Sequence, residues 1–417
     1  MDKPFTNLTD LIRGFARAMN LIDAEVQNHH EKVAYLSYCI ASEIGLSERE
    51  CYTAIMASLL HDVGGILRSE KVSLTDIERD AANLAKAGAA FLRDHPITSG
   101  LTDIVRHSQT SWHALGLLPG NLATPMLIGQ IVHLSDVVSL MLDEKTSVLN
   151  QVDHIRDCIE NAGNREFHPT VCQAFLSVSR REALWMDLLY APGRFLDFLP
   201  VNRMVSLDDT VRFTGLISRI IDFRSPFTAM HSAGVAATAE ALAALSGMSS
   251  EECKIMRIAG NLHDVGKLKI PKSILEKPGK LTDSEFNVMK EHAYYTYALL
   301  KDIRGFDQVT QWAALHHEKL GGNGYPFHLG DTDIPLGSRI MTVADVFSAI
   351  TEDRPYRKGM DRQQALEVLT GDVSRGALSG SIVQLLIDNY DVINQKRDAE
   401  AHAAGKRYYD AINRQEA

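Results

Sequence analysis

An all-α fold, built as two related helical domains, is predicted by three features of the sequence. Apolar residues recur at helical rather than alternating intervals: in "HSAGVAATAEALAALSG", Val235, Ala239, Leu242 and Leu245 fall at spacings of 4, 3 and 3 on one helix face, with Gly247 ending it. Strand-like alternation is scarce. The third feature is an internal repeat of histidine and aspartate landmarks at matched intervals.

The repeat is read by laying one half of the chain on the other. The first half offers His29, the pair His61–Asp62, His95, His107 and Asp136; the second offers His231, His263–Asp264, His292, His316 and Asp345. Thirty-two residues separate His29 from His61 and likewise His231 from His263, and twenty-nine separate His107 from Asp136 and His316 from Asp345. Local text agrees, "LLHDVGG" against "NLHDVGK" and "LSDVVS" against "VADVFS". The intervals between these matched blocks differ, as loops between helices readily allow. Two domains of common ancestry follow, 1–200 and 201–417. The join is expected in residues 190–209, where two prolines and a glycine break the helical pattern.

Within the second half, "LTDSEFNVMKEH" carries a Thr282-x-x-Glu285 capping box, with Leu281 and Phe286 placed as a hydrophobic staple and Phe286, Met289 and His292 expected along an inward stripe. A chain of 417 residues exceeds one ordinary helical domain, and 45% apolar with 23% charged residues is a globular balance. No apolar stretch reaches the roughly 18 to 20 residues that span a bilayer, and the opening lacks a signal-peptide pattern. A cytoplasmic protein without membrane insertion is therefore expected. Five scattered cysteines, Cys39, Cys51, Cys158, Cys172 and Cys253, show no Cys-x-x-Cys spacing and read as buried thiols. A formal charge of −10 argues against binding DNA or RNA polymers, which need a basic surface.

Chemistry concentrates in the second half. His231, His263, Asp264, His292, His316, His317 and Asp345 are donors suited to iron, manganese or zinc. A lone His-Asp pair is a poor signal, and a single inward histidine is often just hydrogen-bonded in a core. Five histidines and two aspartates on several helices are different, because burying them without a ligand leaves many polar groups unsatisfied. Seven donors exceed what one tetrahedral ion needs and fit two divalent ions about 3.5 to 4 Å apart, bridged by a carboxylate and a hydroxide. Asp264 is the expected bridge, next to His263 but about 100° away around a helix.

"HDVGKLKIPKSILEKPGKLTDSE", "MKEH", "HHEKLGGNGYP", "IPLGSRIMTVADVFSAI" and "DRPYRK", in this order, resemble the signature of the HD-GYP phosphodiesterases, a branch of the HD superfamily. The resemblance covers about 210–390 and implies two HD-superfamily helical bundles in tandem, with an HD-GYP catalytic domain at 201–417. It implies hydrolysis of a cyclic dinucleotide, cyclic di-GMP or 3′,3′-cGAMP, to its linear form by a metal-bridging hydroxide, with two divalent ions, iron or manganese, on the seven residues above. Lys267, near His263, would bind the scissile phosphate and protonate the leaving group. The small residues of "GGNGYP", Gly322 and Gly324 among them, would let backbone pass close to a flat ligand, while Tyr325 offers a ring or a hydroxyl. Arg354 and Arg357 would face phosphate or guanine.

Departures from the resemblance are informative. Phe227 stands where some members carry a glutamate supporting a third metal, so two ions are expected. Ser348 stands where "ADVFDAL" usually has its second aspartate, and "ALSG" at 377–380 replaces a usual "FDP"-type turn. The first half keeps His29, His61, Asp62, His95, His107 and Asp136, but Ser108 replaces the second histidine, Gly65 the lysine, and there is no GYP loop. It reads as a diverged HD domain with a regulatory or packing role. A possible homodimer is a further expectation. The competing class is a catalytically silent tandem HD signalling module that binds nucleotide or protein partners; the complete second ligand set, Lys267 and the GYP loop favour the enzyme.

Overall fold

The computed structural model describes residues 4–21, 28–67, 74–93, 95–116, 123–200, 203–222, 230–353 and 358–413. Helices dominate throughout, and the chain divides into two compact units, Leu11–Arg203 and a second formed by Met1–Asp10 with Met204–Ala417. The first residues thus cluster with the second unit, a long-range pairing that spacing does not reveal. Their strand Pro4–Asn7 pairs antiparallel with Met204–Ser206, in register Thr6 with Val205 and Asn7 with Met204. This ribbon is the one departure from helix among the described residues in named strands. It is anchored by Thr6 Oγ1 donating to the Arg304 carbonyl at 2.7 Å and by the ion pair of Arg304 with Asp10.

In Leu11–Arg203 the helices His29–Ile44, Glu48–Leu60, Thr124–Met141 and Pro169–Val178 enclose a core of Ile40, Ile55, Leu59, Ile131, Val138, Phe175 and Trp185. Ser47 and Glu50 form a reciprocal capping box that starts the second of these helices, satisfying amide groups the helix itself cannot. Thr124–Met141 corrects one expectation. Its 18 residues have a mean hydropathy of 1.2, enough by length and composition to cross a membrane, but 61% of the span is buried. Its apolar surface is used as core.

In the second unit His231–Leu245 lies at the centre, packed by Ser250–Leu262, Leu336–Thr351 and Tyr390–Asn413. Val235, Ala239 and Leu242 are fully buried, whereas Leu245 is 43% exposed: at the last residue of the helix, the stripe has left the core. Gly247 adopts φ +83°, the left-handed conformation that turns the chain out of the helix. The Thr282–Glu285 capping box forms and starts Asp283–Leu300. Phe286 departs from its expected inward place; it is 47% exposed, its ring 6.3 Å from that of Tyr325.

Candidate metal centre

The His263–Asp264 pair is positioned by a helix end rather than by a continuous helix. Ser250–Leu262 stops one residue before His263, and Asp264, at φ −103° and ψ 10°, opens a 3₁₀ turn, Val265–Lys269. The expected 100° separation around a helix therefore does not apply. The turn is held against Asp283–Leu300 because residue 266 is glycine. A Cβ there would lie 2.0 Å from the His292 carbonyl oxygen, so no other residue allows the approach. Thr296 completes the junction, donating to the His263 carbonyl at 3.0 Å and accepting from the Gly266 amide at 3.1 Å. One glycine thus brings His263 and Asp264 beside His292.

Three imidazoles are oriented the same way. His263, His292 and His316 place Nδ1 against the carbonyls of Gly260, Met289 and Ala313, at 2.8, 2.6 and 2.6 Å. A carbonyl only accepts, so Nδ1 carries the proton and Nε2 presents a lone pair inward. His231, the first residue of its helix, differs: Nδ1 lies 3.1 Å from Glu352 Oε2, and Nε2 lies 3.1 Å from Asp345 Oδ1.

Asp264 stands between two donor groups. Oδ2 lies 3.3 Å from His263 Nε2 and 2.5 Å from Lys267 Nζ, while Oδ1 lies 3.5 Å from His292 Nε2 and 4.0 Å from His316 Nε2. His231, His263 and Asp264 offer ligand atoms all within 4.8 Å of one another, and His292, His316 and His317 form a second such triad. Asp345 joins the first through His231 and lies 4.0 Å from His263 Nε2. All seven sequence-predicted ligands therefore converge.

The electrostatics follow from burial. It pushes His292 down to about 4 and His316 to about 3, and holds His317 well below its ordinary value, so these rings are neutral and ready to ligate at pH 7. Burial also opposes the charge on His231, but the carboxylates of Glu352 and Asp345 outweigh it and raise that ring to about 10. Asp264 is ionised well below the usual carboxylate range, since His263 and Lys267 overcome its burial. Asp345 is lowered against burial chiefly by His231.

The residues fit a metal on one direct observation. Among the described residues, His263 Nε2 and Asp264 Oδ1 are buried atoms with no hydrogen-bond partner. Leaving such groups unsatisfied costs about 1–3 kcal/mol each, which a cation between them would offset. Two nitrogen-rich triads, one of them including Asp264, whose Oδ1 faces His292 and His316 of the other, suit first-row divalent ions.

Beside the centre, Tyr325 packs 4.7 Å from the His317 ring, and burial raises its phenol's pKa. Gly324 is required by the chain itself: a Cβ would lie 2.4 Å from the Lys319 nitrogen and 2.6 Å from the His317 carbonyl oxygen, so its smallness serves the turn rather than an approaching ligand. Gly322 takes φ +73° with open space around it. Glu352 and Glu318 escaped the sequence reading, which places Phe286 only as an inward staple. Glu352 orients His231; Glu318, fully buried, accepts the amides of Phe327 and Leu329 at 2.7 and 3.0 Å and so ties down the loop after Tyr325; Phe286 offers an exposed ring. Arg354, Arg357 and Phe227 lie outside the described residues.

Residues 215–375 match the family described as HD domain, and the converging His-Asp centre lies within that span. This segment is similar to the HD domain family, and the match stays within the second unit. Similarity extends beyond the matched HD domain. The chain is 27% identical over 412 residues to the 3′3′-cGAMP-specific phosphodiesterase 1 of Vibrio cholerae, covering 95% of this chain and 94% of that protein. It is 36% identical over 178 residues to the 3′3′-cGAMP-specific phosphodiesterase 3 of the same organism, and 43% identical over 155 residues to the cyclic di-GMP phosphodiesterase response regulator RpfG of Xanthomonas campestris. These alignments cover 42% and 37% of this chain and span only 39% and 41% of those two proteins. A crystal structure of a cyclic GMP-AMP specific phosphodiesterase of V. cholerae (V-cGAP3) shares the fold, with a TM-score of 0.67 at 22% identity over 93% of this chain and 98% of that one.

Proposed function

We propose that this chain is a metal-dependent phosphodiesterase that hydrolyses a cyclic dinucleotide to its linear form, with 3′,3′-cGAMP as the preferred substrate. The observation that carries the reading is Asp264, a member of one triad of ligand atoms, with Oδ1 facing the other triad and Lys267 on Oδ2. The choice of dinucleotide rests on the relative aligned along nearly the whole chain, whose name specifies 3′3′-cGAMP.

His231, His263, Asp264 and Asp345 would hold one ion and His292, His316 and His317 the other, with Asp264 between them; iron or manganese suits these donors. When bound, such ions neutralise phosphoryl oxygens and make water acidic enough to serve as nucleophile at neutral pH. The protein does the rest. Lys267, a flexible ammonium already drawn into the site, contacts the scissile phosphate and supplies the proton that the departing ribose oxygen needs. Tyr325 and Phe286, edge to face beside the centre, give a base a surface to stack on. Glu318 keeps that surface in place by holding the following loop. The unit Leu11–Arg203 has a regulatory or packing role.

The test is turnover of 3′,3′-cGAMP and cyclic di-GMP by manganese- or iron-loaded protein, beside a His263→Ala/Asp264→Ala variant. Linear product from the parent alone, formed faster from 3′,3′-cGAMP, is expected. Equal rates on both would remove the substrate preference; no product from either would leave a silent binding module.

A further inference from the structure

The first unit contains a second gathering of metal-type donors that the proposed reaction does not use. His29 begins the helix His29–Ile44, His61 and Asp62 follow the end of Glu48–Leu60, and Asp136 comes from Thr124–Met141. Three separate stretches thus deliver four side chains to one point. His29 Nε2 lies 3.0 Å from Asp136 Oδ1 and 3.5 Å from Asp62 Oδ2; His61 Nε2 lies 3.2 Å from Asp62 Oδ2 and 3.4 Å from Asp136 Oδ1. All four ligand atoms fall within 4.8 Å of one another.

Both rings are oriented from behind. His61 gives its Nδ1 proton to the Ser58 carbonyl at 2.7 Å, and His29 Nδ1 contacts Ser139 Oγ at 3.1 Å, which turns both Nε2 atoms inward. Gln109 donates to Asp136 Oδ2 at 2.7 Å, fixing that carboxylate and leaving Oδ1 for the cluster. Among the described residues, His61 Nε2 and Asp136 Oδ1 are buried without a hydrogen-bond partner, although both point into the cluster. Two aligned but unsatisfied atoms, on side chains more than nine-tenths buried, mark a built site rather than a chance grouping.

We propose that the unit Leu11–Arg203 binds one divalent transition-metal ion of its own on His29, His61, Asp62 and Asp136. Two imidazoles with two carboxylates select manganese, iron, cobalt, nickel or zinc over the harder magnesium and calcium. The site takes one ion, not two. His95 and His107, which the repeat pairs with His292 and His316, are outside the group of converging atoms, and Ser108, in place of His317, spends its hydroxyl on the Val105 carbonyl at 2.9 Å. The Asp62 side chain is 46% exposed, so the ion would face solvent on that side and keep a position for water or a small anion. With Gly65 in place of a lysine, the ion braces the three stretches and does not cleave phosphodiesters.

The experiment counts ions in the full chain carrying His263→Ala/Asp264→Ala/His316→Ala, which removes a donor from each triad of the second unit, by equilibrium dialysis against Mn²⁺ or Zn²⁺ followed by elemental analysis. This background is expected to retain one ion per chain whose affinity falls at least about tenfold on adding Asp62→Ala, with circular dichroism unchanged. Asp62 is used because its exposure makes the substitution tolerable to the fold. Adding Asp136→Asn is expected to do the same, and Mn²⁺ is expected to raise the melting temperature of the background but not of the Asp62→Ala chain. A background that binds no ion, or one whose binding ignores both substitutions, overturns the proposal. Equal metal content in parent and background would contradict the second-unit centre instead, so the two failures are distinguishable.

Discussion

Glu352 Oε2 lies 3.1 Å from His231 Nδ1, on the opposite side of the ring from Asp345. With a metal on Nε2, this carboxylate accepts the hydrogen bond from Nδ1–H, fixes the tautomer and makes the ring a better donor. Glu352→Ala is expected to weaken metal binding by about 10- to 100-fold without loss of helicity. Glu352→Gln should do less damage, because an amide oxygen still accepts. Ser348 is buried one helical turn earlier, its hydroxyl without a hydrogen-bond partner among the described residues. Moving the acid back, as Ser348→Asp with Glu352→Ala, should recover affinity. Chelator competition measures all three, and unchanged affinity in Glu352→Ala would refute the orienting role.

Lys267 contacts Asp264 but belongs to neither triad. Lys267→Met is therefore expected to keep the parent metal content while kcat falls by about 10²- to 10⁴-fold, the usual worth of a positioned proton donor. A loss of metal equal to the loss of rate would make the lysine a structural counter-charge to Asp264.

Phe286 is exposed, edge to face with Tyr325, and the Lys290 ammonium lies 5.5 Å from its ring centre. Stacking on an aromatic ring is worth about 1–3 kcal/mol per base. Phe286→Ala should raise KM about tenfold with little change in kcat. Steady-state kinetics would show the opposite split if the ring served only to pack the helix start.

The metal-free protein carries a pH signature. His231 is raised from 6.5 to about 10 by Glu352 and Asp345, so its contribution to stability is complete below about pH 6.5 and lost as pH rises through about 10. Chemical unfolding of metal-free protein should show this decline, and Glu352→Gln should flatten it. Metal binding must displace that proton, so affinity is expected to rise with pH over the same window. A titration showing no proton release at pH 7 would contradict the assignment.

The convergence was legible because histidines and aspartates are chemically conspicuous and the repeat set their order. His231, His263, Asp264, His292, His316, His317 and Asp345 all converge. Other features escaped because they depend on where helices stop and which distant segments meet. Asp264 lies past a helix end, on a turn that Gly266 allows to close on His292, and nothing in "HDVGK" announces that stop. Glu352 reaches a histidine 121 positions away, a distance no local pattern encodes. The strand Pro4–Asn7 was invisible because its partner is Met204–Ser206, nearly two hundred residues on. Phe286 fits a hydrophobic staple by spacing alone but faces outward beside Tyr325.

Anomalous diffraction at the manganese edge, on crystals of the full chain equilibrated with Mn²⁺, tests the second-unit centre most directly. The account predicts two peaks flanking Asp264, one among His231, His263 and Asp345 and the other among His292, His316 and His317. Featureless density there in manganese-saturated crystals would contradict it.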